Sequence, residues 1–214
     1  MKFYKKYSYL MLLVFLALVP FNFIFGLLAI LCMVAPIILS LFGKGRYSCG
    51  NLCPRGNFYD NILSKLSRGK KTPKFLKSTL FRIAMVIFLL FMFTTGVIKN
   101  WGNAEGIGFI FYRLILVTTI VAIILGIVFN ERTWCNFCPM GSIGGFIAKI
   151  RGRNKGIVVE NRCVSCNLCS KKCPMGLEPK DFKGGVIDST LCISCSKCTL
   201  SCPKSALEFK KVNK

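Results

Sequence analysis

The sequence predicts an α-helical membrane domain of four transmembrane helices arranged as two hairpins, followed by a small cysteine-rich α+β domain. Three observations carry that expectation. The 214 residues are 53% hydrophobic with a mean hydropathy of +0.55, more than a soluble domain of this size carries. Three apolar stretches precede residue 130, and the first is long enough to fold into two helices. Eight of the 13 cysteines then fall between Cys163 and Cys202, where long apolar runs have stopped.

Composition also excludes chemistry. There is no histidine, which removes His-held haem, His-based zinc sites and Ser-His or Cys-His nucleophiles. Any metal chemistry runs mainly through sulfur. The 30 Lys+Arg against 8 Asp+Glu give a net charge of +22, but the basic residues flank apolar stretches, where they set topology. A nucleic-acid partner is therefore not expected.

Ser8–Phe42 holds 35 uncharged residues, too long for one span and too long for the apolar core of a cleavable signal. Lys2, Lys5 and Lys6 precede it, and Lys44 and Arg46 follow. Basic flanks prefer the cytoplasm, so the stretch enters and leaves on one side. A hairpin turning near 20–26, with arms of about 17 residues, satisfies this, and a re-entrant loop is the alternative. Residues 43–78 carry nine Lys/Arg and only Asp60, and read as a cytoplasmic loop. Thr79–Ile98 is the third helix, Lys99–Gly108 an extracytoplasmic turn and Phe109–Phe129 the fourth helix. Arg132, Lys149, Arg151, Arg153 and Lys155 follow on the cytoplasmic side. The expectation is a multi-pass protein of the cytoplasmic membrane, in contact with lipid, with both termini and the cysteine-rich domain in the cytoplasm. Arg82 and Arg113 lie near helix ends and are expected to snorkel to an interface. The domain boundaries read 1–148 for the membrane part, 149–156 for a linker and 157–214 for the tail.

The tail contains Cys163-x2-Cys166-x2-Cys169-x3-Cys173-Pro174 and repeats it, 29 residues on, as Cys192-x2-Cys195-x2-Cys198-x3-Cys202-Pro203. Val164-Ser165 matches Ile193-Ser194, and strand-like stretches Ile157–Val159 and Val186–Ile187 precede the two sets. Three cysteines at x2 intervals wrap three corners of a cubane, and the fourth cysteine ligates the other cluster. Cys163, Cys166, Cys169 and Cys202 are expected to hold one [4Fe–4S] cluster. Cys192, Cys195, Cys198 and Cys173 are expected to hold the second. Structural zinc and disulfides fit less well, the first by spacing and the second by compartment. The motif resembles that of bacterial two-cluster ferredoxins over about residues 157–210, which implies a ferredoxin-like α+β fold for the tail.

Two further turns sit at the membrane: Arg46-Tyr-Ser-Cys49-Gly-Asn-Leu-Cys53-Pro-Arg-Gly56 and Arg132-Thr-Trp-Cys135-Asn-Phe-Cys138-Pro-Met-Gly141. Each has an arginine three residues before its first cysteine and ends in Cys-Pro-x-Gly. Cys49, Cys53, Cys135 and Cys138 are candidates for a third iron–sulfur cluster. A thiol redox pair and a metal staple between the loops are the alternatives. Cys32 is left over and is read as packing. Asp60, Glu105 and Glu131 are the acidic residues near the helices, and Glu131 is expected to form a surface ion pair.

The order of membrane hairpins, Arg-x-x-Cys-x2/3-Cys-Pro-x-Gly turns and a two-cluster tail resembles the NapH-type branch of membrane polyferredoxins. Cys135-x2-Cys138 departs from the x3 spacing common in that branch. The resemblance implies electron transfer through [4Fe–4S] clusters between a membrane donor or acceptor, with quinone a candidate, and another redox protein or oxidoreductase complex. The chain reads as an electron carrier or oxidoreductase subunit more than as a stand-alone enzyme. An accessory factor supplying electrons for metalloenzyme maturation, and a zinc-binding membrane scaffold, are the other readings.

Overall fold

The computed structural model describes residues 7–43, 45–152 and 155–211. Lys2, Lys5, Lys6, Lys44 and Arg153, part of the basic flanks used above, lie outside the described residues.

Three helical segments are long and apolar enough to cross a membrane: Phe23–Leu41 with 19 residues, Thr79–Lys99 with 21 and Ala104–Val128 with 25. At 1.5 Å per residue they extend about 28, 32 and 38 Å, against a hydrocarbon core of about 30 Å. The first stretch differs from the expected pair of equal arms. Helix α1 (Tyr9–Leu18) has only 10 residues, or about 15 Å. It stops before Pro20, whose ring cannot continue the helix. Asn22 then accepts from the Ile24 amide at 3.0 Å and starts a 3-10 turn, Phe23–Leu28, which runs into α2 (Ala29–Leu41). Gly26 in that turn lies backbone to backbone against Gly108, where a side chain on either would collide with the other strand of chain. At the opposite end, Ser8 Oγ meets Asn57 Nδ2 at 2.6 Å.

Two short helices follow, α3 (Tyr47–Asn51) and α4 (Pro54–Phe58), and the chain continues through a π-helical turn, Tyr59–Leu63. The long helices α5 (Thr79–Lys99) and α6 (Ala104–Val128) come next, capped at their N-termini by Ser78 and Asn103 side chains. Helix α7 (Pro139–Arg151) ends at Gly152, and β1 (Lys155–Val159) starts three residues later.

The tail is a three-stranded antiparallel sheet in the order β2-β1-β3, with β2 Gly185–Val186 and β3 Leu207–Lys211. Both strand-like stretches seen in the sequence lie in or beside strands. The third strand, with Val159 opposite Leu207, closes the duplicated unit. Ile157, Val159, Ile187, Ala206 and Leu207 form its core around four cysteines. A second core joins the tail to the loops at the ends of the apolar helices: Met175 and Ile193 pack with Tyr59, Leu63, Trp134, Cys135 and Phe137.

Candidate metal centres

The duplication is visible in the tail backbone. Ser165 and Asn167 adopt positive φ of 53° and 64°, and Ser194 and Ser196, 29 residues on, adopt 52° and 61°. L-residues enter this region at a cost, so the repeated excursion marks a loop held to a purpose. It curls each Cys-x2-Cys-x2-Cys segment so that its thiols converge. A short helix follows each loop, α8 (Leu168–Lys171) and α9 (Lys197–Leu200).

The convergence is crossed. One pocket is lined by Cys163, Cys166, Cys169 and Cys202. Another is lined by Cys173, Cys192, Cys195 and Cys198. Each fourth cysteine thus joins the other repeat's triplet. The Leu177 amide points at Cys173 Sγ at 3.4 Å, and the Ala206 amide, 29 residues on, at Cys202 Sγ at 3.3 Å. Burial and the neighbouring thiols push Cys198 up to about 12, and burial also raises Cys173 and Cys195. Cys173, Cys195 and Cys198 hold their protons until a cation compensates their charge, so metal loading releases protons here. Among the described residues no three Cys, Asp or Glu side chains close around a single metal ion.

At one end of the apolar helices the two Cys-Pro turns build one site. Cys53 and Cys138 are the N-cap residues of α4 and α7, each with proline at the first helical position. The two arginines cross over. Arg46 Nη2 donates to the Cys135 carbonyl at 2.6 Å, and Arg132 Nη1 donates to the Cys49 carbonyl at 2.9 Å. The glycines make room for them. A side chain at Gly141 would strike the Arg46 guanidinium, and one at Gly56 would strike that of Arg132. The whole Arg-x-x-Cys…Cys-Pro-x-Gly pattern is thereby explained as a reciprocal clasp. The x3 and x2 spacings do not disturb it, and Cys49, Cys53, Cys135 and Cys138 all line one cavity of about 440 Å³.

The site is electropositive. Arg46 and Arg132 are almost wholly buried, and Arg46 Nε and Arg55 Nη2 are buried without a hydrogen-bond partner. Arg55 otherwise donates to the Tyr59 hydroxyl at 2.8 Å and lies over the Trp134 ring. Of these three arginines, Arg132 is paired with a carboxylate. Asp60 accepts from Arg132 Nη2 at 2.6 Å and Nε at 3.2 Å, and from Lys197 Nζ at 3.1 Å. Burial alone would raise its carboxyl, but Arg132 and Lys197 outweigh that and hold it at about 2. Burial raises Cys49, Cys135 and Cys138, the neighbouring Cys32 thiol and then burial raise Cys53, and Arg46 or Arg132 pulls Cys49 and Cys135 the other way. An anionic group bound by four thiolates fits this surplus of buried positive charge.

Sequence reasoning missed two features. Cys32, set aside as packing, lines the same cavity from α2, together with Cys53. Its signal was its place in the second half of the apolar stretch that leads to the first Cys-Pro turn. Arg82 is not at a lipid interface. It is 2% exposed and donates to Ser142 Oγ at 3.3 Å and Thr190 Oγ1 at 2.7 Å, tying α5 to α7 and the tail. Arg113 is exposed on α6, and Glu105 is exposed in its first turn. Glu131 forms the expected ion pair, with Lys197 at 3.3 Å.

A family model described as a 4Fe-4S binding domain matches residues 25–73 and 112–157, which contain the pairs Cys49/Cys53 and Cys135/Cys138. A second, described as a 4Fe-4S dicluster domain, matches residues 162–207. Two uncharacterized proteins of Methanocaldococcus jannaschii are similar to the chain. One is 29% identical over 178 residues, covering 77% of this chain and 67% of the relative. The other is 29% identical over 159 residues, covering 68% and 65%. The aligned part thus spans about two thirds of each relative's length. No solved structure matches. The chain is an iron–sulfur protein, and the family models support two [4Fe–4S] clusters.

Proposed function

We propose that the protein is a membrane-anchored electron relay whose clusters stand in a fixed order. The observation that carries the reading is the seat of the Cys192–Cys198 loop. Asn51 Nδ2, beside the first Cys-Pro turn, donates to the Ser194 carbonyl at 3.2 Å, and Ile193 packs in the core that holds Cys135 and Trp134. Arg46 also reaches the Thr190 carbonyl at 3.3 Å. This loop is pressed on the membrane-end thiols while the Cys163–Cys169 loop faces away, with Cys166 exposed.

In this reading Cys173, Cys192, Cys195 and Cys198 hold the inner cluster, and Cys163, Cys166, Cys169 and Cys202 the outer one. Cys49, Cys53, Cys135 and Cys138 hold a third centre at the membrane face. When bound, such clusters pass single electrons with potentials set by charge, burial and hydrogen bonds to sulfur. The residues of the chain do the rest. Arg46, Arg55 and Arg132 offset the negative charge of the membrane-end thiolates. Asp60 and Lys197 lock the tail to the clasp. The Leu177 and Ala206 amides address ligand sulfur.

The three apolar helices anchor the chain in the cytoplasmic membrane, with the tail on the cytoplasmic side. The apolar walls of the 440 Å³ cavity, including Phe15, Phe25, Leu28 and Met33, suit a quinone headgroup beside the thiols. This agrees with the NapH-type polyferredoxins that the sequence resembles. One observation favours the accessory-factor reading instead: Met11, Met33 and Met140 line that cavity with five cysteines, a soft donor set.

Anaerobic purification with iron and sulfide counts, followed by EPR after dithionite, tests the relay. About 12 irons per chain are expected, and about 8 would limit the clusters to the tail. Cys135→Ser lowers the count only in the first case. Pale, iron-free protein would end the reading.

A further inference from the structure

We propose that the face around Cys166 is a docking surface for a separate, acidic, one-electron redox protein. The inference rests on the relay reading above and names the partner at its outer end.

The argument comes from the duplication. The two cysteine loops share their backbone, including both positive-φ pairs, so each presents the same face: an apolar residue, a serine and the middle cysteine of its triplet. In the inner copy that face is occupied by the rest of the chain. Ile193 is 1% exposed, the Ser194 carbonyl takes the Asn51 amide, and Lys197 enters the acidic pair Asp60 and Glu131. The outer copy has no such cover. Val164 is 62% exposed, Leu168 43% and, from the neighbouring helix, Leu200 87%. Cys166 is exposed between them.

The inner contact is therefore a template for what the outer face accepts: an apolar contact at the middle cysteine, rimmed by carboxylates. The charges around the outer copy fit such a partner. Lys171 and Lys172 close α8, and Lys204 lines the pocket of the outer four thiols. All three are exposed and make no ion pair among the described residues. Exposed apolar residues rimmed by unpaired lysines are the anatomy of a transient, electrostatically steered interface. In the complex one electron leaves the reduced carrier on one side and enters the oxidised carrier on the other. No bond forms or breaks, and no proton is needed.

The test uses anaerobic holoprotein and two reductant probes, an acidic flavodoxin hydroquinone and the methyl viologen radical cation, with cluster bleaching followed by stopped flow. With flavodoxin, the second-order rate falls steeply as salt rises. It drops about tenfold or more in Lys171→Glu/Lys172→Glu. The viologen rate does not drop, and iron content is unchanged. Val164→Glu slows flavodoxin in the same way. A control of equal charge, Lys65→Glu/Lys70→Glu, leaves the flavodoxin rate near that of the unaltered chain. The proposal is overturned if the double variant, with full iron, keeps its flavodoxin rate, or if the control slows it equally. Protein without iron, or iron that dithionite does not reduce, condemns the relay itself, a result distinct from either of these.

Discussion

Replacing Asp60 with Asn removes one charge and almost no volume, so its effect measures the ion pair that joins the membrane loops to the tail. The carboxylate takes two hydrogen bonds from the fully buried Arg132 and one from Lys197. Its side chain is 20% exposed. A carboxyl displaced from 3.8 to about 2 by these partners corresponds to about 2.5 kcal/mol at 1.36 kcal/mol per unit. Stranding a buried guanidinium carries a cost of about 3–5 kcal/mol when no other acceptor helps. Arg132 keeps the Cys49 carbonyl, so the lower figure applies. For a chain of this size that is a fall in melting temperature of about 5–10 °C. The assay is a thermal ramp of holoprotein in lipid nanodiscs, followed by the visible absorbance of the clusters. The sign of the pH dependence is fixed. A carboxyl lowered in the folded state stabilises fully above its unfolded value and loses that contribution only as pH falls from there towards 2. The gap between wild type and Asp60→Asn is therefore flat from about pH 5.5 to 8. An equally stable variant, or a gap that titrates within that range, refutes the pairing.

Three other substitutions probe the clasp and the fifth thiol. Gly56→Ala or Gly141→Ala drives a methyl into the Arg132 or Arg46 guanidinium and breaks a buried charged hydrogen bond, worth about 1.5–3 kcal/mol. Iron analysis should show loss confined to the membrane-face centre, with about 8 irons left in the tail. Cys32→Ala should keep the full iron count but shift the midpoint potential of that centre downward, because it replaces a polarisable thiol in the cavity beside Cys53 with a methyl group. Redox titration with EPR reads both, and a loss of iron in Cys32→Ala would make Cys32 a ligand.

The tail was legible because ligand spacing is a local property. Cys163 to Cys173 and Cys192 to Cys202 each lie within eleven residues, and a 29-residue offset is visible without knowledge of contacts. The strand at Leu207–Lys211 was not, since its pattern is a run of exposed charges whose partner is β1, some 50 residues earlier. At the membrane end the motif announced its residues but not its geometry. That Arg46 serves Cys135 and Arg132 serves Cys49 is a contact across more than 80 residues, and only the glycines Gly56 and Gly141 hinted at close approach. Arg82 was misjudged for the same reason: its position near a helix end is local, while Ser142 and Thr190 are not. The first arm falls short of the expected 17 residues because the stretch breaks at Pro20, where the expected turn begins, and leaves only Tyr9–Leu18 helical before it.

Both duplications in the chain are solved by exchange, and that has a consequence for how the protein holds together. In the tail each repeat supplies three thiols to one pocket and the fourth to the other. At the membrane end each turn supplies the arginine that satisfies the other's carbonyl. Neither repeat completes a site alone, so metal binding at either tail site draws on the whole tail fold. Exchange would leave the two tail sites equivalent, and a relay between equivalents has no ends. The membrane end breaks the tie. By covering Ile193 and capturing Lys197 it turns one repeat inward, and the other, with Val164 and Cys166 uncovered, becomes the only outlet that the described residues leave at a tail loop. The order of the centres thus follows from which copy of a repeated surface the clasp takes.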